Sequence, residues 1–524
     1  MSLTGKRLAL PEDLLVHRVF ETHARQYPER TALTCGAERL TFAELNARAN
    51  RFSHHLIALG AGRGSVIGVC LDRTPDLLVA ILGTLKAGAA YVPLDPTYPA
   101  ERLRLMVSQL DAIKLNVAAA ETRDLIAGAP GELILIDELS GHLDAQPATD
   151  PVVDLSNDDL CYVVFTSGST GTPKATAVRH EGWYNLLEWL RVEYGLDATA
   201  GGLTVSSFGF DISQRGLMAP LFSGAPLHLL PSRVFDPGMA YRLIETHGVR
   251  QLHCAPSTLY VLIDHERALG TDALTRVGHV FIGGEPLTVS RVEEWAAQEG
   301  NSCVLLHQYG VAECTDVATS HVLGDYARYR GAATPVGEPV YNTEIRLLDD
   351  DLNEVPDGET GEICISGISV SAGYLNASAA DTRRFTELAT PDGPVRLYRT
   401  GDRGYATPAG ELVVVGRVDA QVKIRGMRMD LGDVEHGVRS HPLVDDAVVL
   451  ALPDDAGELS LVGFVLPADG ALDTGTLDTR VLYRDLLKTL PRNMVPQEFT
   501  VLDTFPLNPN GKTDRRALAA LARG

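Results

Sequence analysis

Between about Thr41 and Tyr309, short continuous apolar runs alternate with amphipathic stretches, and this alternation confines the chain to an α/β architecture with largely parallel strands. A strand buried on both faces reads as an unbroken apolar run, and SVIGVCL (65 to 71) has that form. Before it, Thr41-Phe-Ala-Glu44 fits a capping box, and Leu45, Ala49, Phe52 and Leu56 recur on one helical face until Gly60. Thr74-Pro75 opens the next helix in the order of cap and first-turn proline. The alternation continues through LTVSS, PLHLL, RQLHC, HVFIGG and CVLLHQYG. From Glu362 to Val415 the chain is richer in Gly, Thr and alternating strands, which predicts a β-subdomain. Beyond GRVDAQVKIRG (416 to 426) the pattern predicts a helix over 431 to 441, strands DDAVVLAL and LSLVGFVL, a helix over 478 to 490 and a strand EFTVL. At 524 residues more than one domain is expected. The reading is a large N-terminal α/β lobe with a β-subdomain over 1–418, and a small mobile α+β domain over 419–524.

The balance of 46 basic against 68 acidic side chains gives a net charge of −22, which argues against non-specific binding to nucleic acid or to an anionic membrane. The seven cysteines stand apart, without the C-x-x-C spacing of a zinc site or redox pair, and read as buried small hydrophobes in a reducing cytosol. The opening MSLTGKRLALPEDLL has no long apolar core behind a basic start, and the chain has no apolar run long enough for a bilayer. The expected location is cytoplasmic.

The sharpest local feature is Phe165-Thr-Ser-Gly-Ser-Thr-Gly-Thr-Pro-Lys174, directly after the apolar run CYVVF. Small residues let backbone N–H groups approach an anion, hydroxyls add donors, and Lys174 brings a positive charge, so the natural ligand is phosphate. The order differs from the G-x-x-x-x-G-K-[ST] of a Walker loop. Taken alone, such a loop is also what a flexible surface turn looks like.

In company with ten other motifs, the chain resembles the adenylate-forming superfamily, and within it the adenylation domains of nonribosomal peptide synthetases, in a stand-alone form. The resemblance rests on LTFAEL (40 to 45), LKAGAAYVPLD (85 to 95), FTSGSTGTPK (165 to 174), FDIS (210 to 213), GGE (283 to 285), QYGVAE (308 to 313), GEICISG (361 to 367), YRTGD (398 to 402), GRVDAQVKIRGMRMDLGDVE (416 to 435), LPRNMVP (490 to 496) and NPNGKTDR (508 to 515). These stand in family order along nearly the whole length.

The resemblance implies ATP and Mg2+ as the nucleotide and metal, and a role for each matching residue. Thr166, Ser167, Gly168, Ser169, Thr170, Gly171 and Lys174 would form the phosphate loop. Asp402 would accept both ribose hydroxyls, Tyr309 would stack on adenine beside Gly283, Gly284 and Glu285, and Arg417 would add a ribose or phosphate contact. Glu313 would be the magnesium ligand, a hard oxygen donor for a hard cation. Lys512 would touch both the attacking carboxylate and the α-phosphate, and Asp419 would be the hinge on which the small domain swings. Read singly, Asp402 and Lys512 are turn residues and Glu313 a surface charge.

Asp211 in FDIS sets the substrate class: in the family an Asp here pairs with the α-ammonium of an amino acid, and otherwise it would cap a helix with Ser213 nearby. The side-chain pocket aligns to Ile212, Arg215, Ser257, Phe281, Gly283, Gln308, Asp316 and Val317. Arg215, Phe281 and Gln308 either fill the pocket and leave room for a small side chain, or Arg215 binds an acidic one; Asp316 either neutralises Arg215 or accepts a polar substrate group. The favoured substrate is small or short and polar. The chain departs from the family at Val311 and Ala312, where Pro and Thr are usual, at His307 in place of an Asn, and at Ala175 in place of a Gly.

No downstream segment resembling a carrier domain and no HHxxxDG motif is visible, so the resemblance implies transfer to the phosphopantetheine thiol of a separate peptidyl carrier protein, unless the chain is a piece of a larger synthetase, with MRMDLG (427 to 432) facing the pantetheine arm and a small activator protein of the MbtH type as a further partner. Two rivals stand beside this reading. One is an acyl- or aryl-CoA ligase of the same fold, which would lack the carboxylate of Asp211; the other is a non-catalytic scaffold, which would not need Lys512, Asp402, Glu313 and Lys174 together.

Overall fold

The structure is a computed structural model that describes residues 1–166, 173–329, 333–376, 378–391, 393–418, 421–454, 457–468, 477–506 and 513–522. Among them, two large sheets form the frame. In the first, Thr31–Cys35, Leu227–Leu229, Gly202–Thr204, Gln251–Cys254, His279–Gly283 and Val304–Tyr309 lie side by side in parallel, and antiparallel strands close both edges. In the second, Leu160–Thr166, Ala90–Pro93, Val66–Cys70, Ile113–Ala118 and Glu132–Leu135 are parallel, and Lys174–Arg179 returns antiparallel beside Leu160–Thr166.

Helices packed on the sheets explain the apolar runs. The helix Pro75–Lys86 is buried on every side, as its nearly unbroken LLVAILGTL requires. Proline is its first residue, although Thr74 caps it by position only, without a side-chain hydrogen bond. The preceding helix Phe42–Ala58 has the full capping box: Glu44 N donates to Thr41 Oγ1 at 3.2 Å and Thr41 N to Glu44 Oε2 at 2.8 Å. Lys86 is wholly buried, and its ammonium lies 2.6 Å from Glu21 and 3.0 Å from Asp150, locking three chain segments together.

The Gly- and Thr-rich segment forms a separate antiparallel sheet of Thr343–Leu348, Gly361–Gly367, Gly393–Ala406 and Phe385–Thr390, with Leu412–Arg417 alongside. Its edge is closed by Ser2–Thr4, a strand too short for the sequence pattern to reveal. Further on, a hairpin of Gln421–Ile424 and Met427–Asp430 turns through Arg425 and Gly426, both at positive φ (51° and 76°), the conformation a two-residue hairpin loop requires. After the helix Leu431–Arg439, Val444–Pro453, Leu459–Pro467 and Glu498–Val501 make a small sheet. Met429, Val434, Val438, Val449, Val465 and Leu482 give this part a core of its own. The helix expected over 478 to 490 covers only Thr479–Leu486: beyond it Lys488 N and Thr489 N turn to carbonyls three residues back, those of Asp485 and Leu486, and Pro491 bars continuation.

All seven cysteines are free. No helix among the described residues is long and apolar enough to cross a membrane. Replacing Lys86 by Met leaves Glu21 and Asp150 without their buried cation and should cost about 3 kcal/mol, read as a lowered unfolding midpoint that a conservative Lys86→Arg change does not reproduce in full.

Candidate functional site

A cavity of about 690 Å3 opens where the parallel strands end at their carboxyl termini. Val205 to Ser207 follow one strand, Ala255 another, Gly283 and Gly284 end a third, and Gln308 and Tyr309 end the fourth; Val164 to Thr166 come from the second sheet, and Lys423 and Arg425 to Arg428 from the hairpin.

Asp211 and Arg215 both face this cavity, since they lie one turn apart on the helix Asp211–Phe222. Phe210, not Asp211, occupies the N-cap, and the helix start has no side-chain cap. Asp211 instead accepts a hydrogen bond from Ile212 N at 2.8 Å. Burial raises its carboxyl above the ordinary value, against the pull of that hydrogen bond and of the charges of Lys423 and Arg215. Among the described residues it has no ion-pair partner within 4.0 Å.

Below it, the Arg215 side chain is 1% exposed and its Nε lies 2.6 Å from Asp316 Oδ2, while Nη1 donates to Gln308 Oε1. Arg215 is thus neutralised inside the wall. Burial pushes the Asp316 carboxyl up to about 7 even with Arg215 beside it. Thr315 and Asp316 both take positive φ (55° and 71°), a conformation that non-glycine residues rarely hold, and it aims Asp316 at Arg215. The loop closes only because Gly310 has no side chain: a Cβ there would stand 1.8 Å from Asp316 O. Ile212, Gly283 and Val317 also line the cavity. Ser257 and Phe281 are not on its wall: Ser257 N donates to Glu285 at 3.0 Å, and Phe281 stacks behind it on His253 at 4.7 Å.

The side-chain period of the strand sends Gln308 toward Arg215 and Tyr309 the other way. The Tyr309 hydroxyl donates to Asp402 Oδ2 at 2.7 Å, and Arg417 pairs with the other oxygen of Asp402. Gly284, at φ 87°, keeps the backbone beside Tyr309 free of a side chain. Glu285 uses both oxygens on backbone, Ser257 N at 3.0 Å and Gly426 N at 2.7 Å, and so pins the hairpin tip to the large lobe. His307 is buried, with Nδ1 2.9 Å from Pro335 O, and burial lowers it to about 4, so it is neutral.

Glu313, a surface charge when read singly, is 1% exposed, with Tyr374 OH at 2.6 Å and Arg428 Nη1 at 3.0 Å. Burial alone would raise it, but Arg428 and Tyr374 outweigh burial and hold it below the ordinary glutamate value. Among the described residues no group of three or more His, Cys, Asp or Glu could hold a metal ion by itself. A lone buried carboxylate suits a magnesium ion that draws its other oxygens from phosphates and water. Thr166 is on the cavity wall, and Lys174 Nζ lies 2.6 Å from Asp381. Ser167, Gly168, Ser169, Thr170, Gly171, Asp419 and Lys512 lie outside the described residues. Sequence reasoning assigned no role to Lys423, whose ammonium lies 5.1 Å from the centre of the Tyr309 ring, and placed Arg428 only within the segment facing the pantetheine arm, not on Glu313; the signal was the positive residues in VKIRGMR, and only the hairpin turn brings them into the crevice.

The comparisons agree with this geometry. The AMP-binding enzyme family matches residues 20–375, and the AMP-binding enzyme C-terminal domain matches residues 433–512. The chain is 35% identical over 520 residues to a dimodular nonribosomal peptide synthase of Bacillus subtilis, covering 96% of this chain and 21% of that protein. The structure of PA1221, described as an NRPS protein containing adenylation and PCP domains, superposes with a TM-score of 0.82 at 26% identity and covers 98% of both chains. A mutant o-succinylbenzoate CoA synthetase (MenE) of Bacillus subtilis shares the fold, with a TM-score of 0.80 at 21% identity, covering 96% of this chain and 98% of that one. The chain therefore belongs to the AMP-binding enzyme family and is an adenylating ligase of the type found in nonribosomal peptide synthetases. It spans between 6% and 21% of the length of the curated relatives it matches.

The buried Arg215–Asp316 pair should behave as a unit. Arg215→Met and Asp316→Leu should each destabilise by roughly 3 to 5 kcal/mol, and the double variant should recover most of that loss in its unfolding midpoint. In Arg215→Met the raised carboxyl of Asp316 loses its lowering partner; an acid with a raised folded-state value loses stability as pH rises toward that value, so the defect should deepen from pH 6 to pH 8.

Proposed function

We propose that this enzyme activates an amino acid, small or short and polar, as its aminoacyl-AMP with release of pyrophosphate, and then passes the acyl group to the phosphopantetheine thiol of a carrier protein. The observation that carries the reading is Asp211: a half-buried carboxylate on the cavity wall, one turn from a neutralised arginine and without an ion pair of its own among the described residues. An α-ammonium supplies the missing charge, and it favours the ionised carboxylate that burial opposes.

In this account the substrate carboxylate attacks the α-phosphorus of ATP in line with the departing pyrophosphate. Tyr309 and Asp402 hold the nucleoside, with Arg417 fixing the carboxylate; Thr166 and Lys174 belong to the phosphate loop. Magnesium at Glu313 would neutralise charge on the phosphate oxygens as they leave. Lys512 bridges the attacking carboxylate and the phosphate, and its positive charge counts most as the two anions merge. The substrate side chain meets Ile212, Val317 and a polar but neutral floor of Arg215, Asp316 and Gln308, which favours a short side chain with a hydrogen-bonding end over a charged one.

The described arrangement, with the hairpin in the crevice and Arg428 on Glu313, fits the second half-reaction better than the first. A swing at Asp419, dividing the chain at 418/419, would withdraw the hairpin and bring Lys512 in for adenylation. A thiol then attacks the acyl carbon, AMP departs, and MRMDLG flanks the pantetheine arm. A small activator protein of the MbtH type is the further partner to test.

Hydroxylamine trapping across amino acids, including D and β forms, beside aryl and fatty acids, should give hydroxamate with an amino acid only. Lys512→Ala should lower adenylate formation by about 10^2- to 10^3-fold, while transfer from pre-formed aminoacyl-AMP to a holo carrier protein stays within a few-fold of wild type. Hydroxamate from aryl or fatty acids alone would favour the CoA-ligase reading, and an unchanged adenylate yield in Lys512→Ala would refute the assigned chemistry.

A further inference from the structure

Residues 371–376 and the short helix Ala379–Thr382 join Glu313 to the strand Lys174–Arg179, and no motif reading singled them out. Gly373–Tyr374 pairs with Ala177 and Thr176, the strand that leaves the phosphate loop. Asn376 then spans that stem with one amide: Oδ1 accepts from Ala175 N at 2.9 Å and Nδ2 donates to Pro173 O at 2.9 Å. The Lys174 ammonium, between those two positions, lies 2.6 Å from Asp381 Oδ1, and the Ser378 hydroxyl donates to Asp381 Oδ2 at 2.6 Å. The same strap reaches Glu313. Tyr374 OH donates to Glu313 Oε1 at 2.6 Å, Ser371 N donates to Glu313 O at 2.9 Å, and Arg396 Nη1 holds Ser371 O at 2.7 Å.

We propose that Tyr374, Asn376 and Asp381 are positioning residues that fix the spacing between Lys174 and the Glu313 carboxylate, so that one triphosphate and its metal meet both groups at once. The inference rests on the nucleotide-site reading above. A lysine is a point charge on a flexible stem, and a loop stem of small residues does not orient itself. Asn376 removes the freedom of the stem, Asp381 that of the ammonium, and Tyr374 that of the carboxylate. The arrangement also holds the Lys174 ammonium in one place before the phosphates arrive, and Asp381 is an exchangeable partner, with 16% of its side chain exposed.

The test is calorimetric binding of α,β-methylene-ATP with Mg2+, and of AMP, to the full chain and its variants. Asn376→Ala and Asp381→Ala should weaken the triphosphate about tenfold and AMP less than twofold, with Asp381→Glu recovering most of the loss. Tyr374→Phe should weaken the triphosphate about three- to fivefold with Mg2+ present and leave binding without Mg2+ unchanged. Wild-type triphosphate affinity in both alanine variants, or equal losses for AMP and triphosphate, would overturn the inference. If wild type binds neither ligand, the nucleotide-site reading falls and this inference falls with it; the AMP arm separates that case from a failure of the strap alone.

Discussion

Glu313 and Asp316, just past the carboxyl end of the parallel strand Val304–Tyr309, and Asp402, within the antiparallel strand Gly393–Ala406, are each withdrawn from solvent, where an unpaired carboxylate is strongly disfavoured. Each is answered by an arginine from a different stretch of chain: Arg417 for Asp402, Arg428 for Glu313 and Arg215 for Asp316. Burial makes these pairs directional constraints as much as attractions, because breaking one leaves a stranded charge. In the described arrangement the pairs therefore fix which elements meet, and the crevice is what those elements enclose. Asp211 is the exception, and in the proposed function a substrate amine would complete the same rule.

The pairing also ties the hairpin to the large lobe. Arg428 reaches Glu313, Lys423 lies over the Tyr309 ring with its ammonium 3.4 Å from Gly310 O, and Glu285 accepts from the backbone of Gly426. These contacts are mostly polar, and of the large lobe only Phe210 is found among the described residues packed against the apolar core of the C-terminal part. A polar interface of this kind can be exchanged for another set of partners, which is what the proposed swing at Asp419 would require. The nucleotide groups would then be handed from intramolecular partners to ligand without ever being left uncompensated.

Much of the frame was legible in the sequence because burial on both faces leaves a signature in apolar runs: SVIGVCL and CVLLHQYG became parallel strands, and Thr41 to Glu44 became the capping box that starts the helix over Phe42–Ala58. Motif spacing brought Asp211, Arg215, Gln308, Asp316 and Tyr309 onto one cavity wall. What escaped was set by tertiary contact. Ser2–Thr4 is a strand only because a sheet edge receives it. The partners of Glu313 and Lys174 come from positions about 60 to 200 residues away, and local pattern carries no trace of them. Glu285 belongs to a motif, yet both of its oxygens are engaged by backbone N–H groups, and only the folded hairpin reveals that.

The central claim is that the carboxylate of Asp211 answers the substrate amine. The most direct measurement is a cycle of kcat/KM for pyrophosphate exchange, pairing the preferred amino acid and its des-amino analogue with wild type and Asp211→Ala. Removing the amine should lower kcat/KM by about two orders of magnitude or more in wild type and by little in Asp211→Ala, a coupling of roughly 2 to 5 kcal/mol. Equal losses in both backgrounds would mean that the amine and Asp211 never meet, and would contradict the account.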